Sequence, residues 1–199
     1  MPHQIASRLS EQGLVPDSLI RHGIRNLLRQ RLQEIRAHDI DACAHNIRDM
    51  LREMQDADIA ELPHKANEQH YEVPARFFVR TLGAQLKYSC AFWEEHTDSL
   101  DEAETRALEI TCERARIVDG MDILELGCGW GSLTLYMAMR FPNGRILALS
   151  NSRSQGEHIR NAAKALQYDN IEVITEDMNR FSSARRFDRV VSLEMFEHM

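Results

Sequence analysis

Ile123-Leu124-Glu125-Leu126-Gly127-Cys128-Gly129-Trp130-Gly131 reads as a short apolar strand, a glycine turn and, from Ser132, the start of a helix. Glycines at alternate positions serve either a tight turn that needs positive φ or a ligand that needs bare backbone. The neighbouring residues narrow the choice. A dinucleotide site uses G-x-G-x-x-G and an acidic residue about 20 positions on. Here the spacing is G-x-G-x-G, and the second strand ends Leu147-Ala148-Leu149-Ser150-Asn151-Ser152 without an acid. The Gly-Lys-Ser/Thr ending of a phosphate loop is also missing. Glu125, ahead of the first glycine, repels a pyrophosphate and suits a cation.

On the C-terminal side the pattern alternates. Strand 121–126 leads to helix 131–140, strand 145–150 to helix 153–166, and strand 171–175 through an irregular stretch to strand 188–193. Near-continuous apolar strands alternating with helices predict a mostly parallel sheet covered on both faces. In such sheets ligands bind beyond the C-terminal strand ends, where Ser150, Asn151, Asp177, Met178 and Glu194 fall.

On the N-terminal side, Ser99-Leu100-Asp101-Glu102 is a capping box opening a helix to about Arg116. Leu86-Lys87-Tyr88-Ser89-Cys90-Ala91-Phe92-Trp93 has no clean period and reads as core or pocket wall. A short helix from Ala75 to Leu82 precedes it, with Gly83 placed as its stop. Residues 56–70 read as a linker. Before them stand two amphipathic helices: one from Pro16 to Ile35, whose polar face carries Arg21, Arg25, Arg29 and Arg31, with Arg36 just beyond it, and one at about 39–55. The arginine face reads as a solvated face on a packing helix, with contact to anionic lipid as the alternative. Three segments result: a helical part at 1–65, a covering part at 66–118, and the N-terminal half of a ligand-binding sheet domain at 119–199.

The 199 residues carry a net charge of −7 and no long basic run, which argues against nucleic acid as a partner. The four cysteines include no C-x-x-C pair, and the nine histidines no H-x-x-x-H or H-E-x-x-H spacing. Reduced thiols, no metal site and a cytoplasmic location are the expectations. The N-terminus lacks the apolar core of a signal peptide, and no apolar run reaches bilayer-spanning length. The chain ends at Met199, just past a core strand, which leads us to expect a C-terminal truncation with about four of the sheet's strands present.

A sulfonium and an ammonium are cations, so S-adenosylmethionine fits the loop better than the nucleotides do. The wording of the motifs agrees. Glu125 to Gly131 resembles motif I of class I S-adenosylmethionine-dependent methyltransferases, with a Rossmann-like sheet. Its Cys-Gly-Trp-Gly form, Tyr88-Ser89-Cys90 and Ser152-Arg153-Ser154-Gln155 resemble the cyclopropane-fatty-acid synthase and mycolic-acid methyltransferase superfamily. The runs 67–74 (Asn-Glu-Gln-His-Tyr-Glu-Val-Pro) and 192–199 (Ser-Leu-Glu-Met-Phe-Glu-His-Met) resemble its coclaurine N-methyltransferase-like branch more closely, as does the first long helix.

The resemblance implies roles. Gly127, Gly129 and Gly131 pack against the amino-acid part of the cofactor, and Tyr88 and Ser89 reach its carboxylate. Ser150, Asn151 and Gln155 take the ribose hydroxyls, and Asp177 and Met178 meet the adenine. Gln155 read alone is an ordinary helix residue, and Asp177 a turn former. Glu194, Glu197 and His198 are the catalytic candidates: a histidine suits proton removal from an amine, and a carboxylate can orient it or hold the substrate. A helical turn over 194–199 puts the three on one face. His70, Tyr71 and Cys90 line the acceptor pocket. The acceptor is expected to be a small-molecule amine. One alternative is an unsaturated lipid acyl chain, with Glu197 helping to bind bicarbonate; another is an inactive cofactor-binding fragment. A homodimer is compatible with all three.

Overall fold

Strands β1 (Asp122–Leu126), β2 (Arg145–Ser150), β3 (Ile171–Thr175) and β4 (Arg189–Ser192) form one parallel sheet in the order β3-β2-β1-β4. They belong to a computed structural model that describes residues 8–36, 38–60 and 75–196. The chain divides into two compact units, Met1–Ala57 and Asp58–Met199.

The first unit holds α1 (Asp17–Glu34) and α2 (Ile40–Asp56). Pro16 caps α1, where its missing N–H costs nothing. The Asp39 carboxylate caps α2 by accepting from the Ala42 N–H at 3.0 Å. Both apolar stripes face outward: Leu27, Leu28, Ile47 and Met50 are all exposed.

In the second unit, α3 (Ala75–Thr81) and α4 (Leu100–Arg114) precede the sheet, and α5 (Ser132–Arg140) and α6 (Arg153–Leu166) alternate with it. Residues 86–93 form no helix or strand. Ser99 caps α4 by accepting from the Glu102 N–H, while Glu102 reaches back to the Asp98 N–H. Gly83 follows the end of α3, as expected of a helix stop, without a left-handed φ. A Cβ there would lie 2.7 Å from a Glu104 carboxylate oxygen, so glycine is required for close approach.

Strand alternation sorts the core. Ile123, Ile146 and Val191 face Leu108, Leu133 and Met137 of α4 and α5. Ala148, on the same face, meets Ile159 of α6. Each buried Leu or Ile contributes about 1.5–3 kcal/mol. The other face bears Leu124, Leu126, Leu147 and Leu149. Among the described residues it is covered by Met178, Phe181, Phe187 and Met195, because the β3–β4 connection is irregular rather than helical. Beyond β4 no further strand lies among the described residues.

Candidate active site

The glycine loop is held through backbone hydrogen bonds. The Gly127 and Cys128 N–H groups both donate to the Leu149 carbonyl at 3.0 Å, and Gly131 N–H donates to the Cys128 carbonyl at 2.8 Å. All three glycines have positive φ, at +74°, +52° and +86°. Their surroundings differ. A Cβ on Gly127 would lie 2.5 Å from Met195 Sδ, and one on Gly131 would lie 2.6 Å from Ile159 Cγ1. One on Gly129 would meet nothing within 4 Å. Gly127 and Gly131 let protein pack on the loop; Gly129 presents bare backbone to open space.

Glu125 does not offer its charge to that space. Alternation turns it to the face shared with Ile123, where it is 4% exposed and accepts from Thr134 Oγ1 at 2.5 Å. Burial pushes its carboxyl up to about 8, against the Thr134 hydrogen bond, which lowers it. At neutral pH it is mostly uncharged. The expectation of a carboxylate facing a cationic ligand is therefore corrected: Glu125 ties the end of β1 to α5.

At the ends of β2 and β3, Ser150 and Gln155 are both buried, and Ser150 Oγ donates to Gln155 Oε1 at 2.8 Å. Gln155 Nε2 is buried with no partner, as is Thr175 Oγ1. An unmet buried donor is costly, and a ligand hydroxyl or carbonyl would satisfy it. Asn151 is exposed beside them. Asp177 acts here as a turn former, its carboxylate accepting from the Asn179 N–H at 2.9 Å. Met178 packs on the leucine face of the sheet. Asn179 grips the backbone of Ala60 through both its N–H and its carbonyl.

A strap at 83–90 completes the site. Three carboxylate bonds from α4 fix its start: Glu104, 1% exposed, accepts from the Gly83 and Gln85 N–H groups at 2.9 and 3.0 Å, and Asp101 from the Ala84 N–H at 2.7 Å. Its end is fixed by Lys87 and Glu194. The Lys87 ammonium donates to Ser89 Oγ and, at 2.8 Å, to the Cys90 carbonyl. The Cys90 N–H donates to Glu194 Oε1 at 3.2 Å. Burial lowers the Lys87 pKa, while Cys90, Glu194 and Glu104 act to raise it. An aromatic run joins strap to loop: Tyr88 packs edge-on to Phe78 at 5.2 Å, and Phe78 lies 5.1 Å from Trp130. Trp130 meets His158 edge-on at 5.5 Å, and burial lowers the pKa of that histidine.

The structure thus brings Cys90 and Glu194 together and sets Tyr88 within ring contact of Phe78, which touches the loop. Glu194 has φ +50°, so it stands outside any helical turn. His70, Tyr71, Glu197 and His198 lie outside the described residues. Sequence reasoning missed Phe78, Lys87, Glu104, Asn179 and Trp130 as site-builders. Lys87, a charged residue inside an aromatic run, was the one signal available.

Residues 60–199 match the mycolic acid cyclopropane synthetase family. The chain is 40% identical over 192 residues to (S)-coclaurine N-methyltransferase of Thalictrum flavum subsp. glaucum, a match covering 95% of this chain and 52% of that protein. It is 31% identical to the cyclopropane-fatty-acyl-phospholipid synthase of Escherichia coli strain K12 over 132 residues, 66% of this chain and 33% of that one. A crystal structure of coclaurine N-methyltransferase bound to N-methylheliamine and SAH superposes with a TM-score of 0.87 at 35% identity, covering all of this chain and 57% of the other. The chain spans about half the length of the curated N-methyltransferase it matches over most of its own length.

Proposed function

The chain belongs to the mycolic acid cyclopropane synthetase family, and from that premise we propose that it carries the cofactor site of an S-adenosylmethionine-dependent methyltransferase whose acceptor is an amine nitrogen. The observation that carries the reading is Gly129, with positive φ and open space where a Cβ would stand, at the tip of a loop that protein packs tightly on either side. The unpartnered Gln155 Nε2 fits a ribose oxygen. Bound S-adenosylmethionine supplies an electrophilic methyl group on its sulfonium. The chain's residues bind and orient it: Gly127, Gly129 and Gly131 along the amino-acid part, Tyr88 and Ser89 at the carboxylate, Ser150, Asn151 and Gln155 at the ribose, and Asp177 and Met178 at the adenine. Glu125 supports the loop from beneath.

Methyl transfer depends mostly on positioning, and an amine must first lose its proton. Glu194, Glu197 and His198 take that role, with His70, Tyr71 and Cys90 along the acceptor. The relatives named as N-methyltransferases support the amine over other acceptors. The similarity to a cyclopropane-fatty-acyl-phospholipid synthase keeps a second reading: transfer to an unsaturated acyl chain, with bicarbonate held near Glu197. The exposed apolar stripe and arginines of α1 suit peripheral contact with an anionic membrane under that reading; no helix among the described residues is long and apolar enough to cross one. The protein works in the cytoplasm, and a homodimer is compatible with either acceptor.

The test supplies the protein with methyl-labelled S-adenosylmethionine, and with amines in one tube and unsaturated phospholipid vesicles in another. Label on the amine is expected; label only in lipid sinks the amine reading. His198→Ala should lower turnover far more than cofactor affinity, and collapse of binding would remove His198 as the base.

A further inference from the structure

We propose that Lys87 is a positioning residue for the carboxylate end of the cofactor: it donates to one of the two lone pairs of Ser89 Oγ, which turns the Ser89 proton away from Lys87 and leaves it to be donated to that carboxylate. The inference rests on the cofactor reading above and extends it to a residue that does not touch the ligand. An ammonium has three donors and no acceptor, and a serine hydroxyl has one donor. Where Lys87 donates to Ser89 Oγ, the hydroxyl must accept, and its own hydrogen is turned elsewhere. Ser89 is half-buried, so that hydrogen can reach a ligand.

Three observations make the arrangement specific. Lys87 is 5% exposed in a segment whose neighbours Tyr88 and Cys90 are open, so it serves the interior of the strap. Its second bond, to the Cys90 carbonyl at 2.8 Å, holds the C-terminal side of the residue whose N–H donates to Glu194. Leu86, just before it, has φ +50°, an unfavourable left-handed conformation for a leucine, and it sits at the turn that sends Lys87 inward. A buried positive charge behind Ser89 also favours an anion in front of it, because the low-dielectric interior screens it weakly.

Calorimetric titrations with two ligands test this. S-adenosylhomocysteine carries the amino-acid carboxylate; 5′-methylthioadenosine shares the adenosine and sulfur but lacks it. Lys87→Met should weaken S-adenosylhomocysteine by about 10- to 100-fold, the range of one charge-assisted hydrogen bond, and leave methylthioadenosine within about twofold, as expected when no bond to that ligand is lost. Ser89→Ala should show the same selective loss, and serves alone if Lys87→Met does not fold. The double variant should be no weaker than the worse single one, and Lys87→Arg should recover part of the loss. Equal weakening of both ligands would show Lys87 to be a fold residue only. Unchanged binding, or additive losses in the double variant, would also overturn the proposal. If the unaltered protein binds methylthioadenosine but not S-adenosylhomocysteine, the carboxylate contact is absent and the proposal falls alone. If it binds neither, the cofactor reading itself falls.

Discussion

In the glycine loop at 127–131 the backbone does the holding: carbonyls of Leu149 and Cys128 take its N–H groups, and two of its three glycines exist to let Met195 and Ile159 pack close. In the strap at 83–90 side chains do the holding. Glu104 and Asp101 reach in from α4, and Glu194 from beyond β4, more than a hundred residues away. The loop hangs on backbone bonds to the end of the neighbouring strand β2 and within itself. The strap has no repeating backbone pattern and exists only where tertiary structure delivers carboxylates to it. One half of the site is therefore held by backbone, and the other by side chains delivered from distant parts of the chain.

The hardest way to break that contrast is to crowd the loop. Gly131→Val places a β-branched residue at φ +86° with its Cβ 2.6 Å from Ile159 Cγ1. Left-handed strain and overpacking together should cost about 2–5 kcal/mol in denaturant unfolding. Gly129→Ala is the control: with open space around its Cβ it should cost only about 1 kcal/mol of strain, yet weaken S-adenosylhomocysteine by at least about tenfold. Equal losses of stability would mean that the two glycines do the same job.

The strap breaks from outside itself. Glu104→Ala leaves the Gly83 and Gln85 N–H groups without their acceptor beside a buried cavity, at a cost of about 2–4 kcal/mol. Amide exchange should accelerate at Gly83 and Gln85 and stay unchanged at Gly131. Acceleration across the loop as well would show that the two regions are one cooperative piece.

The same contrast explains what was legible in the sequence. The strands, α5, α6 and the loop follow from local periodicity and glycine spacing, and their bounds agree within a residue or two. Family wording singled out Tyr88, Ser89, Ser150 and Gln155; the structure packs Tyr88 on Phe78 and pairs Ser150 with Gln155. Direction was not legible. Its place ahead of the first glycine sets Glu125 toward a ligand, but the alternation of β1 turns it inward onto Thr134. Gly83 stands just past the end of its helix, as its spacing says, but glycine is needed there for the close approach of Glu104, a partner 21 residues on. The irregular β3–β4 connection was legible, because residues 176–188 carry no helical period; that it covers the leucine face of the sheet was not. Each miss is a contact made at a distance, which spacing along the chain does not encode.

Glu125 offers a smaller effect with a definite sign. Its carboxyl is raised from 4.5 to about 8 in the folded chain. Below pH 4.5 folded and unfolded chains both hold the proton, so stability is unaffected. Between pH 4.5 and 8 the folded chain keeps a proton that the unfolded chain has released, so stability falls as pH rises; above 8 it levels off. Glu125→Gln keeps an acceptor for Thr134 and removes that cost. It should raise stability by about 1–3 kcal/mol at pH 7 and flatten the pH dependence across the window. A variant less stable than the parent at pH 7 would mean that the ionised carboxylate is what holds the loop's base.

The finest probe is Ser99→Ala, because it touches neither region. Ser99 caps α4 by accepting from the Glu102 N–H, and the first turns of that helix carry both Asp101 and Glu104. Losing the cap should cost about 1 kcal/mol overall. Fraying begins at the helix end, so Asp101 should release the Ala84 N–H before Glu104, one turn further in and 1% exposed, releases its two. Amide exchange should therefore speed up most at Ala84, less at Gly83 and Gln85, and not at all at Gly127 or Gly131. That graded order belongs to a strap hung from the start of a helix. A uniform change across all five amides would place the cap's contribution in global stability and leave the strap with no dependence of its own on α4.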